Sequence, residues 1–442
     1  MLAGCSANIG TPPQTSSNGA SVRSSRQSIV PLAATRWQEK NLISFSPYDP
    51  AVPEAPVIFD TSGAIYGTVA FGGTCTAHAC GGGVFKLTPS SSGHWNETIL
   101  YAFCSRAHCK DGANPQAGLT FDSQGSLYGT TTYGGSANEG SVFKLTPSKS
   151  GYRESVLYSF CQAANCADGA NPTAPVIFDK NGALYGTTSG GGLTGCRYSE
   201  CGTVFKLTPS ASSYSESVLY RFCMQTGCSD GAAPVAGLVF GANGVLYGTT
   251  EYGGRSGCTY YDAGCGTVFQ LAPSASGYSE SVLYAFCKTT TSCTDGDNPA
   301  AGVIVDREGA LYGTTLYGGP GGGAVYKLTP SSSTFRYSLL YGFCNRRNCN
   351  DGTEPFGGLV FGKRNALYGT TTYGGVQGAG TLFKLTSAGS IYRERVLHNF
   401  SASTTQSWPY ATPVFGPDGA LYGTSTGHTL QDSGAVWRVW RD

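Results

Sequence analysis

Charged side chains are scarce in this sequence. Lys, Arg, Asp and Glu make up 12% of its 442 residues, and the formal net charge is +1. Because no basic stripe is present to neutralise phosphates, we expect neither a nucleic acid nor an anionic membrane surface as a partner. No run of about 20 apolar residues occurs either, so we expect no membrane-spanning segment.

Recognisable catalytic motifs are also missing. The sequence has no Ser-His-Asp order, no HExxH, no Gly-rich phosphate loop and no paired-carboxylate motif. Histidine is limited to five residues, and His78, His108 and His428 fall in loops that the repeat pattern below assigns to one face. These three could meet around a metal or a substrate, and the alternative interpretation is that each is an ordinary exposed loop residue.

The tripeptide Tyr-Gly-Thr, in contrast, occurs seven times. Its copies begin at Tyr66, Tyr128, Tyr185, Tyr247, Tyr312, Tyr368 and Tyr422. Around each copy, short β-branched and aromatic runs alternate with Gly, Ser, Pro and Asp, which is typical of strands and turns, and helical apolar spacing is missing. Four such runs per unit, repeated seven times, predict an all-β, seven-bladed β-propeller of four-stranded blades.

The two ends of the repeat array predict how the ring closes. The last unit has three strands and no fourth, whereas residues 37–45 align without a gap on residues 95–103, the fourth strand of the first unit. We therefore expect the N-terminal segment to be the outer strand of the seventh blade, within a single domain from residue 36 to residue 442. A solenoid would instead need polar caps at both ends.

The cysteines indicate the cellular compartment. Sixteen of the 17 cysteines form eight close sequence pairs that we predict to be disulfides: Cys75 and Cys80, Cys104 and Cys109, Cys161 and Cys166, Cys196 and Cys201, Cys223 and Cys228, Cys258 and Cys265, Cys287 and Cys293, Cys344 and Cys349. Structural zinc is the competing interpretation, but it usually has four ligands with tighter spacing. Disulfides imply an oxidising, extracytoplasmic space. Each would close a short loop and contribute only about 2 kcal/mol, so we expect them to stiffen loops rather than hold the ring.

The remaining cysteine suggests a lipid anchor. Cys5 follows Leu2, Ala3 and Gly4, a sequence that resembles a bacterial lipobox, in which the thiol carries the lipid. A complete signal would have a basic start and a longer apolar run, so the alternatives are a trimmed start and a chance match. With lipid at Cys5, residues 1–5 are the remainder of the signal, and residues 6–35, rich in Ser, Thr, Gln, Pro and Gly, are a flexible tether.

The repeat can be compared with known families through phrases such as LYGTTTYGG at residues 127–135, followed by GSVFKLTP at residues 140–147. From about residue 37 to its end, the chain resembles the GloVer tandem repeat of bacterial surface proteins. This resemblance implies a surface protein with one of several anchor types, and it implies no particular activity. The strand pattern also resembles NHL-type and gluconolactonase-like propellers, which is a likeness of fold only.

Length variation within the repeat is confined to two kinds of loop. With strands labelled A to D from the channel outward, the A–B and C–D connections are short and uniform. The B–C and D–A connections carry every length change and all sixteen paired cysteines. In a propeller these two kinds of loop emerge on the same face, which we call the variable face. We expect it to be the binding surface, displayed on a rigid scaffold.

Five D–A loops contain an Asp-Gly step, at Asp111, Asp168, Asp230, Asp295 and Asp351. A ring of carboxylates makes calcium a candidate ligand. One Asp immediately before Gly is also what a side-chain-capped turn requires. We favour the turn, so no cofactor or metal is predicted, and calcium is kept as the alternative.

Two groups of residues are candidates for ligand contact on the variable face. The first is a set of tyrosines at the end of strand B that could stack on sugar rings or pack between blades: Tyr133, Tyr252, Tyr317 and Tyr373. The second consists of loop residues that the repeat does not require: Arg197, Tyr198 and Glu200 in blade 3, Tyr260, Tyr261 and Asp262 in blade 4, and Trp408.

Together these observations predict an extracytoplasmic, monomeric, ligand-binding propeller, either a lipoprotein of the cell surface or periplasm or a secreted protein. Its variable face is expected to recognise an extracellular glycan or protein, and its membrane contact would be limited to a lipid at Cys5. One alternative is an enzyme acting on a polysaccharide or lactone, a lyase or hydrolase with its site at the channel mouth. The other is a structural protein of the cell envelope.

Overall fold

The computed structural model describes residues 37–45, 51–72, 81–194, 201–211, 213–255, 264–275, 277–288, 293–332, 334–389, 391–401, 407–427 and 434–441, and the backbone of residues 75–76 and 79–80. Residues Trp37 to Asp442 form one compact unit.

Seven four-stranded antiparallel sheets are arranged as the blades of a ring, which confirms the predicted seven-bladed β-propeller. Strand β1 (Trp37–Ser44) precedes blade 1. Blade 1 consists of β2 (Ile58–Phe59), β3 (Ile65–Val69), β6 (Gly83–Pro89) and β7 (Trp95–Ala102), with an added hairpin of β4 (Cys75–Thr76) and β5 (Ala79–Cys80). Blade 2 consists of β8 (Thr120–Phe121), β9 (Leu127–Thr131), β10 (Ser141–Ser148) and β11 (Gly151–Ser159). Blade 3 consists of β12 (Ile177–Phe178), β13 (Leu184–Thr188), β14 (Thr203–Pro209) and β15 (Tyr214–Arg221). Blade 4 consists of β16 (Val239–Phe240), β17 (Leu246–Thr250), β18 (Thr267–Ser274) and β19 (Gly277–Ala285), and blade 5 of β20 (Ile304–Val305), β21 (Leu311–Thr315), β22 (Ala324–Pro330) and β23 (Phe335–Gly342). Blade 6 consists of β24 (Val360–Phe361), β25 (Leu367–Thr371), β26 (Gly378–Ala388) and β27 (Ile391–Ser401). Blade 7 consists of β28 (Val414–Phe415), β29 (Leu421–Ser425) and β30 (Ala435–Arg441), and β1 is its fourth strand.

Helical structure within these residues is limited to short 3-10 turns: Ala107–Cys109, Ala164–Cys166, Thr226–Cys228, Ala242–Gly244, Arg347–Cys349 and Lys363–Asn365. No helix in the described part of the chain is long and apolar enough to cross a membrane.

The ring closes as the sequence predicts. Strand β1 pairs antiparallel with β30, from Trp37 opposite Arg441 to Ser44 opposite Ala435. The Phe45 amide then donates a 3.0 Å hydrogen bond to the Gly434 carbonyl. Trp437 of β30 is fully buried where most other blades place a phenylalanine, and its ring packs against Phe400 of blade 6.

Each residue of the Tyr-Gly-Thr repeat has a structural role. A Cβ on Gly67 would lie 2.5 Å from Cζ of Phe85 on the neighbouring strand, so only glycine leaves room for that ring. Five of the seven tyrosines donate a hydrogen bond from their hydroxyl to an aspartate of the A–B turn: Tyr66, Tyr128, Tyr185, Tyr312 and Tyr422. The tripeptide thus fixes the spacing of strands A, B and C within one blade.

The threonine of the same tripeptide joins neighbouring blades. Thr68 donates a 2.9 Å hydrogen bond to the carbonyl of Ala117 in the next blade. The other six threonines make the same bond at 3.0 to 3.2 Å: Thr130, Thr187, Thr249, Thr314, Thr370 and Thr424. Apolar clusters also span two blades, as where Val84 and Phe103 of blade 1 meet Leu127 and Phe143 of blade 2. The core therefore lies between blades.

Candidate binding site at the channel mouth

A cavity of about 370 Å³ occupies the channel, lined by the seven segments that lead from the outer strand of one blade into strand A of the next. We call these segments junctions and name each by the blades it connects, from 7/1 to 6/7. Each junction contains a proline that packs on a glycine of the preceding blade. At junction 6/7, for example, a Cβ on Gly380 would lie 2.8 Å from Cδ of Pro409. This close approach fixes the backbone that presents the lining residues.

The residue that follows each proline divides the mouth of the channel into two arcs. Three consecutive junctions, 7/1 to 2/3, form a polar arc of Glu54, Gln116 and Thr173. The four remaining junctions form an apolar arc of Val235, Ala300, Phe356 and Tyr410. One residue further into the channel every junction has Ala or Gly, so the space below the mouth is not filled by side chains. The junction residues of the mouth therefore differ between its two sides, and Glu251, which follows strand B of blade 4, adds a carboxylate beside the apolar arc.

The polar arc is held in place by hydrogen bonds between side chains. Nε2 of Gln116 donates to a carboxylate oxygen of Glu54 at 2.9 Å. The Thr132 hydroxyl donates to Oε1 of Gln116, also at 2.9 Å. Burial raises the pKa of the Glu54 carboxyl, and the hydrogen bond from Gln116 partly offsets this rise. Glu54 is thus an oriented hydrogen-bond acceptor on the channel wall.

Four aromatic rings lie side by side at the apolar arc. The rings of Phe356 and Tyr410 are 5.0 Å apart, and those of Tyr373 and Trp408 are 5.7 Å apart, both edge to face. Burial raises the pKa of Tyr410, and the nearby Tyr373 and the carboxylates of Glu54 and Glu354 raise it further. The Tyr410 hydroxyl therefore lies close to Tyr373 and to the carboxylates of Glu54 and Glu354.

The residue before each proline adopts the left-handed conformation, with φ between 51° and 63° at all seven junctions. Three of these residues are asparagines, which tolerate this conformation and donate a side-chain hydrogen bond to the preceding blade: Asn114, Asn171 and Asn298. Val52, Ala233, Glu354 and Trp408 occupy the same position at junctions 7/1, 3/4, 5/6 and 6/7. A residue other than glycine or asparagine in this conformation costs about 1–3 kcal/mol, and such strain is found most often at functional sites.

The comparisons with known proteins identify the repeat. No curated protein matches the sequence. The model of the Gloeobacter/Verrucomicrobia repeat matches residues 52–319 and 257–441, which include strands of every blade. The chain belongs to the Gloeobacter/Verrucomicrobia repeat family.

Solved structures with some likeness to this Gloeobacter/Verrucomicrobia repeat protein are distant. A fungal alcohol oxidase in complex with copper is 12% identical, with 92% of this chain and 76% of that chain covered and a TM-score of 0.48. A suggested 6-phosphogluconolactonase of Bacteroides uniformis is 11% identical, with 78% and 84% covered and a TM-score of 0.46. At these scores neither structure carries an argument about this family member.

The structure brings together only part of the predicted ligand-contact set. Tyr373 and Trp408 meet in the aromatic group at junction 6/7. Tyr133, Tyr252 and Tyr317 follow strand B in other blades, where the backbone of each forms a bridge to the junction that leads into the same blade. The side chain of Tyr133 is 50% exposed. The other predicted contacts, Arg197, Tyr198, Glu200, Tyr260, Tyr261 and Asp262, lie outside the described residues.

The Asp-Gly loops of this repeat protein are built as capped turns. The Asp111 carboxylate accepts hydrogen bonds from the Tyr101 hydroxyl and from the amides of Ser105 and Arg106. Asp168, Asp230, Asp295 and Asp351 likewise each accept one tyrosine hydroxyl and at least one loop amide. The two junctions that lack both the Asp-Gly step and the cysteine pair, 6/7 and 7/1, also lack the tyrosine, which is replaced by His398 or Ile43. Tyrosine, aspartate and the cysteine pair therefore form one structural unit, and calcium stays an untested alternative.

Five of the predicted disulfides are present: Cys104–Cys109, Cys161–Cys166, Cys223–Cys228, Cys287–Cys293 and Cys344–Cys349. Cys201 and Cys265 are also disulfide-bonded. Cys75 and Cys80 lie opposite each other in the β4–β5 hairpin. The remaining cysteines, Cys5, Cys196 and Cys258, fall outside the described residues. These bonds indicate an extracytoplasmic protein.

The grouping of three histidines stays a prediction. His108 is an exposed residue in the 3-10 turn Ala107–Cys109, with φ of 59°. His78 and His428 lie outside the described residues. Within the described part of the chain, the one group of three or more residues that could share a metal is Cys265, Cys287 and Cys293, and all three are disulfide-bonded.

None of the seven residues that form the two arcs, among them Glu54, Gln116, Phe356 and Tyr410, is among the predicted contacts, and neither is Glu354. A signal for them exists in the sequence, because three junctions read Asn-Pro followed by a variable residue. The other four junctions have Val52, Ala233, Glu354 or Trp408 before the proline, and two of them, 5/6 and 6/7, have an aromatic residue after it. An alignment of the repeats on this proline would have found these residues.

Proposed function

We propose that this protein is an extracytoplasmic glycan-binding propeller whose site is the channel mouth. The observation that carries the proposal is the division of one ring of equivalent positions into the polar arc and the apolar arc, which contains Phe356 and Tyr410. A sugar ring has the same division, since its C–H face is apolar and its hydroxyl edge is polar. The C–H face can pack on Phe356 and Tyr410 while hydroxyl groups donate to Glu54.

The cost of building the site supports the same proposal. Glu354 and Trp408 hold a left-handed conformation that asparagine tolerates better; Trp408 belongs to the aromatic group, and Glu354 comes two residues before Phe356. Gln116 and Thr132 hold Glu54 in one orientation before any ligand binds. Preorganised polar groups beside rigid aromatic rings reduce the entropy lost on binding.

The location and anchoring of the protein complete the proposal. The disulfides are consistent with display outside the cytoplasm, and we propose that lipid on Cys5 and the segment of residues 6–35 hold a monomeric propeller at the cell surface or in the periplasm. The variable face would then point to ligands in the surrounding space. A protein ligand is the competing occupant of this face.

Substitution on the two candidate surfaces tests the proposal. Binding to a glycan array and to isolated cell-wall polysaccharide would be measured for wild type, for Phe356→Ala with Trp408→Asn, and for Tyr198→Ala with Tyr260→Ala and Tyr261→Ala. Tyr133→Ala is the matched control, because Tyr133 follows strand B as Tyr373 does but lies in blade 2. Loss of binding in the Phe356 and Trp408 variant alone is expected.

The other outcomes point elsewhere. Loss in the triple tyrosine variant alone would move the site to the loops of blades 3 and 4. Failure of the wild type to bind any glycan would refute the proposal and favour a protein ligand. Turnover of a bound glycan would identify the protein as an enzyme.

A further inference from the structure

We infer that the channel mouth binds the terminal unit of a glycan chain and selects an uncharged or amino-bearing sugar over a uronic acid. This inference rests on the proposed glycan function and names the class of ligand that the site would take.

The shape of the site favours a chain end. Its walls come from all seven junctions, so the cavity is surrounded by protein on every side around the channel axis. A volume of about 370 Å³ is near the lower end of the range for small-ligand sites. An open groove would let an internal segment of a polymer lie through it. A pit of this size instead admits one end of the chain.

The polar groups of the site are concentrated at its rim. Below the rim the channel is lined by alanine, glycine, two prolines and Thr412, whose hydroxyl oxygen accepts a hydrogen bond from the Gly358 amide. Carbonyl groups at that level, such as that of Ala117, accept hydrogen bonds from threonines of the preceding blade. We therefore expect hydrogen bonds to the ligand to come mainly from the polar arc and Glu251. A terminal sugar would direct its hydroxyl edge to that arc and its C–H face to Phe356 and Tyr410.

The charged residues that the structure describes at the mouth are all acidic. The charged residues that line the cavity are Glu54 and Glu251, and Glu354 lies close to Tyr410. No Lys or Arg is among the described residues that line the cavity. A carboxylate on the ligand would approach these groups in a partly desolvated space, where repulsion between like charges is stronger than in water. A neutral sugar avoids this repulsion, and an ammonium group on an amino sugar is attracted.

The charge selection can be tested with a matched series of tetramers of glucose, N-acetylglucosamine, glucosamine and galacturonic acid. Their affinities would be measured by titration calorimetry with the full chain at about pH 8. We expect the galacturonic acid tetramer to bind at least about tenfold more weakly than the best neutral or amino tetramer. Glu54→Gln should narrow this ratio, whereas Glu308→Gln, an exposed carboxylate of the A–B turn in blade 5, should leave it unchanged.

Binding at chain ends is tested with a long polymer of whichever sugar binds. Affinity expressed per chain end should be equal for the tetramer and the polymer. Equal affinity per sugar unit would overturn the chain-end inference, and equal or tighter binding of the galacturonic acid tetramer would overturn the charge selection. Absence of binding to every tetramer, to the glycan array and to cell-wall polysaccharide would refute the proposed function itself, so the two failures are distinguishable.

Discussion

The hydroxyl of Thr424 donates a 3.0 Å hydrogen bond to the carbonyl oxygen of Ala55, although 369 residues separate them in the chain. Six equivalent bonds join the other neighbouring blades over much shorter separations. The seam between blades 7 and 1 thus repeats the geometry of every other seam. It differs in the entropy of bringing two distant chain segments together.

The closing strand should be essential for stability. Deletion of residues 1–45 removes β1, exposes the edge of β30 and uncovers the apolar residues packed beside it. Deletion of residues 1–30 leaves β1 intact. Thermal unfolding should show a much lower midpoint for the longer deletion, and equal midpoints would contradict the role assigned to β1.

The threonine bonds between blades should each contribute measurably. Thr187→Val keeps the shape of the side chain but leaves the buried carbonyl of Ala236 without its donor. We expect a loss of about 1–3 kcal/mol in the free energy of unfolding, measured by chemical denaturation. Thr208→Val, at an exposed position of β14, is the control and should change it by no more than about 0.5 kcal/mol.

The residue before the junction proline should show opposite effects on stability and binding. Glu354→Asn places at junction 5/6 the residue that three other junctions have before the proline. Because asparagine tolerates the left-handed conformation better, the melting temperature should stay the same or rise, while glycan binding weakens. The reciprocal change, Asn171→Glu, removes the hydrogen bond to the Thr132 carbonyl and should lower the melting temperature. A fall in melting temperature for Glu354→Asn would show that Glu354 serves the fold.

The outer strands carry glutamates that should make stability depend on pH. Burial, together with a smaller contribution from the neighbouring Asp230, raises the pKa of Glu280 from 4.5 to about 7. Glu39, Glu154, Glu216 and Glu394 have similar values. Because the folded state holds these protons more tightly than the unfolded state, stability should fall as pH rises from about 4.5 to about 7.

The contribution of one of these carboxyls can be isolated. Glu280 is the best choice because the titratable groups described beside it are Asp230 and Tyr220, and neither is a cation. Glu154 and Glu394 instead form ion pairs with Arg106 and Arg346. Denaturation midpoints of Glu280→Gln should depend less on pH than those of wild type and should be higher at about pH 8. Glu308→Gln should follow the wild-type profile. A wild-type midpoint that rises over this pH range would contradict the assignment.

The disulfides should be confined to single loops. Peptide mapping of the oxidised protein by mass spectrometry should pair Cys201 with Cys196 and Cys265 with Cys258, in addition to the five bonds described above. Mild reduction should loosen the variable face, detected by hydrogen exchange, before the ring unfolds. A bond between two blades, or free thiols at most of these positions, would be inconsistent with that arrangement.

The sequence alone determined the blade count, the strand order within each blade and the closure by residues 37–45. These features depend on local chemistry: alternating strand residues, turn residues at fixed offsets, and a repeated tripeptide whose glycine and threonine have the same neighbours in every copy. The cysteine pairs were also readable from the sequence, because each pair closes a loop of a few residues.

Tertiary structure decided which side chains share the channel mouth. Glu54, Gln116, Phe356 and Tyr410 are far apart in the chain and meet because each follows a proline at which the chain enters the channel. The left-handed backbone conformation of Glu354 and Trp408 was likewise not readable from the sequence. Each of these residues precedes a proline that packs against a glycine of the preceding blade, a contact that forms only when the two neighbouring blades pack together.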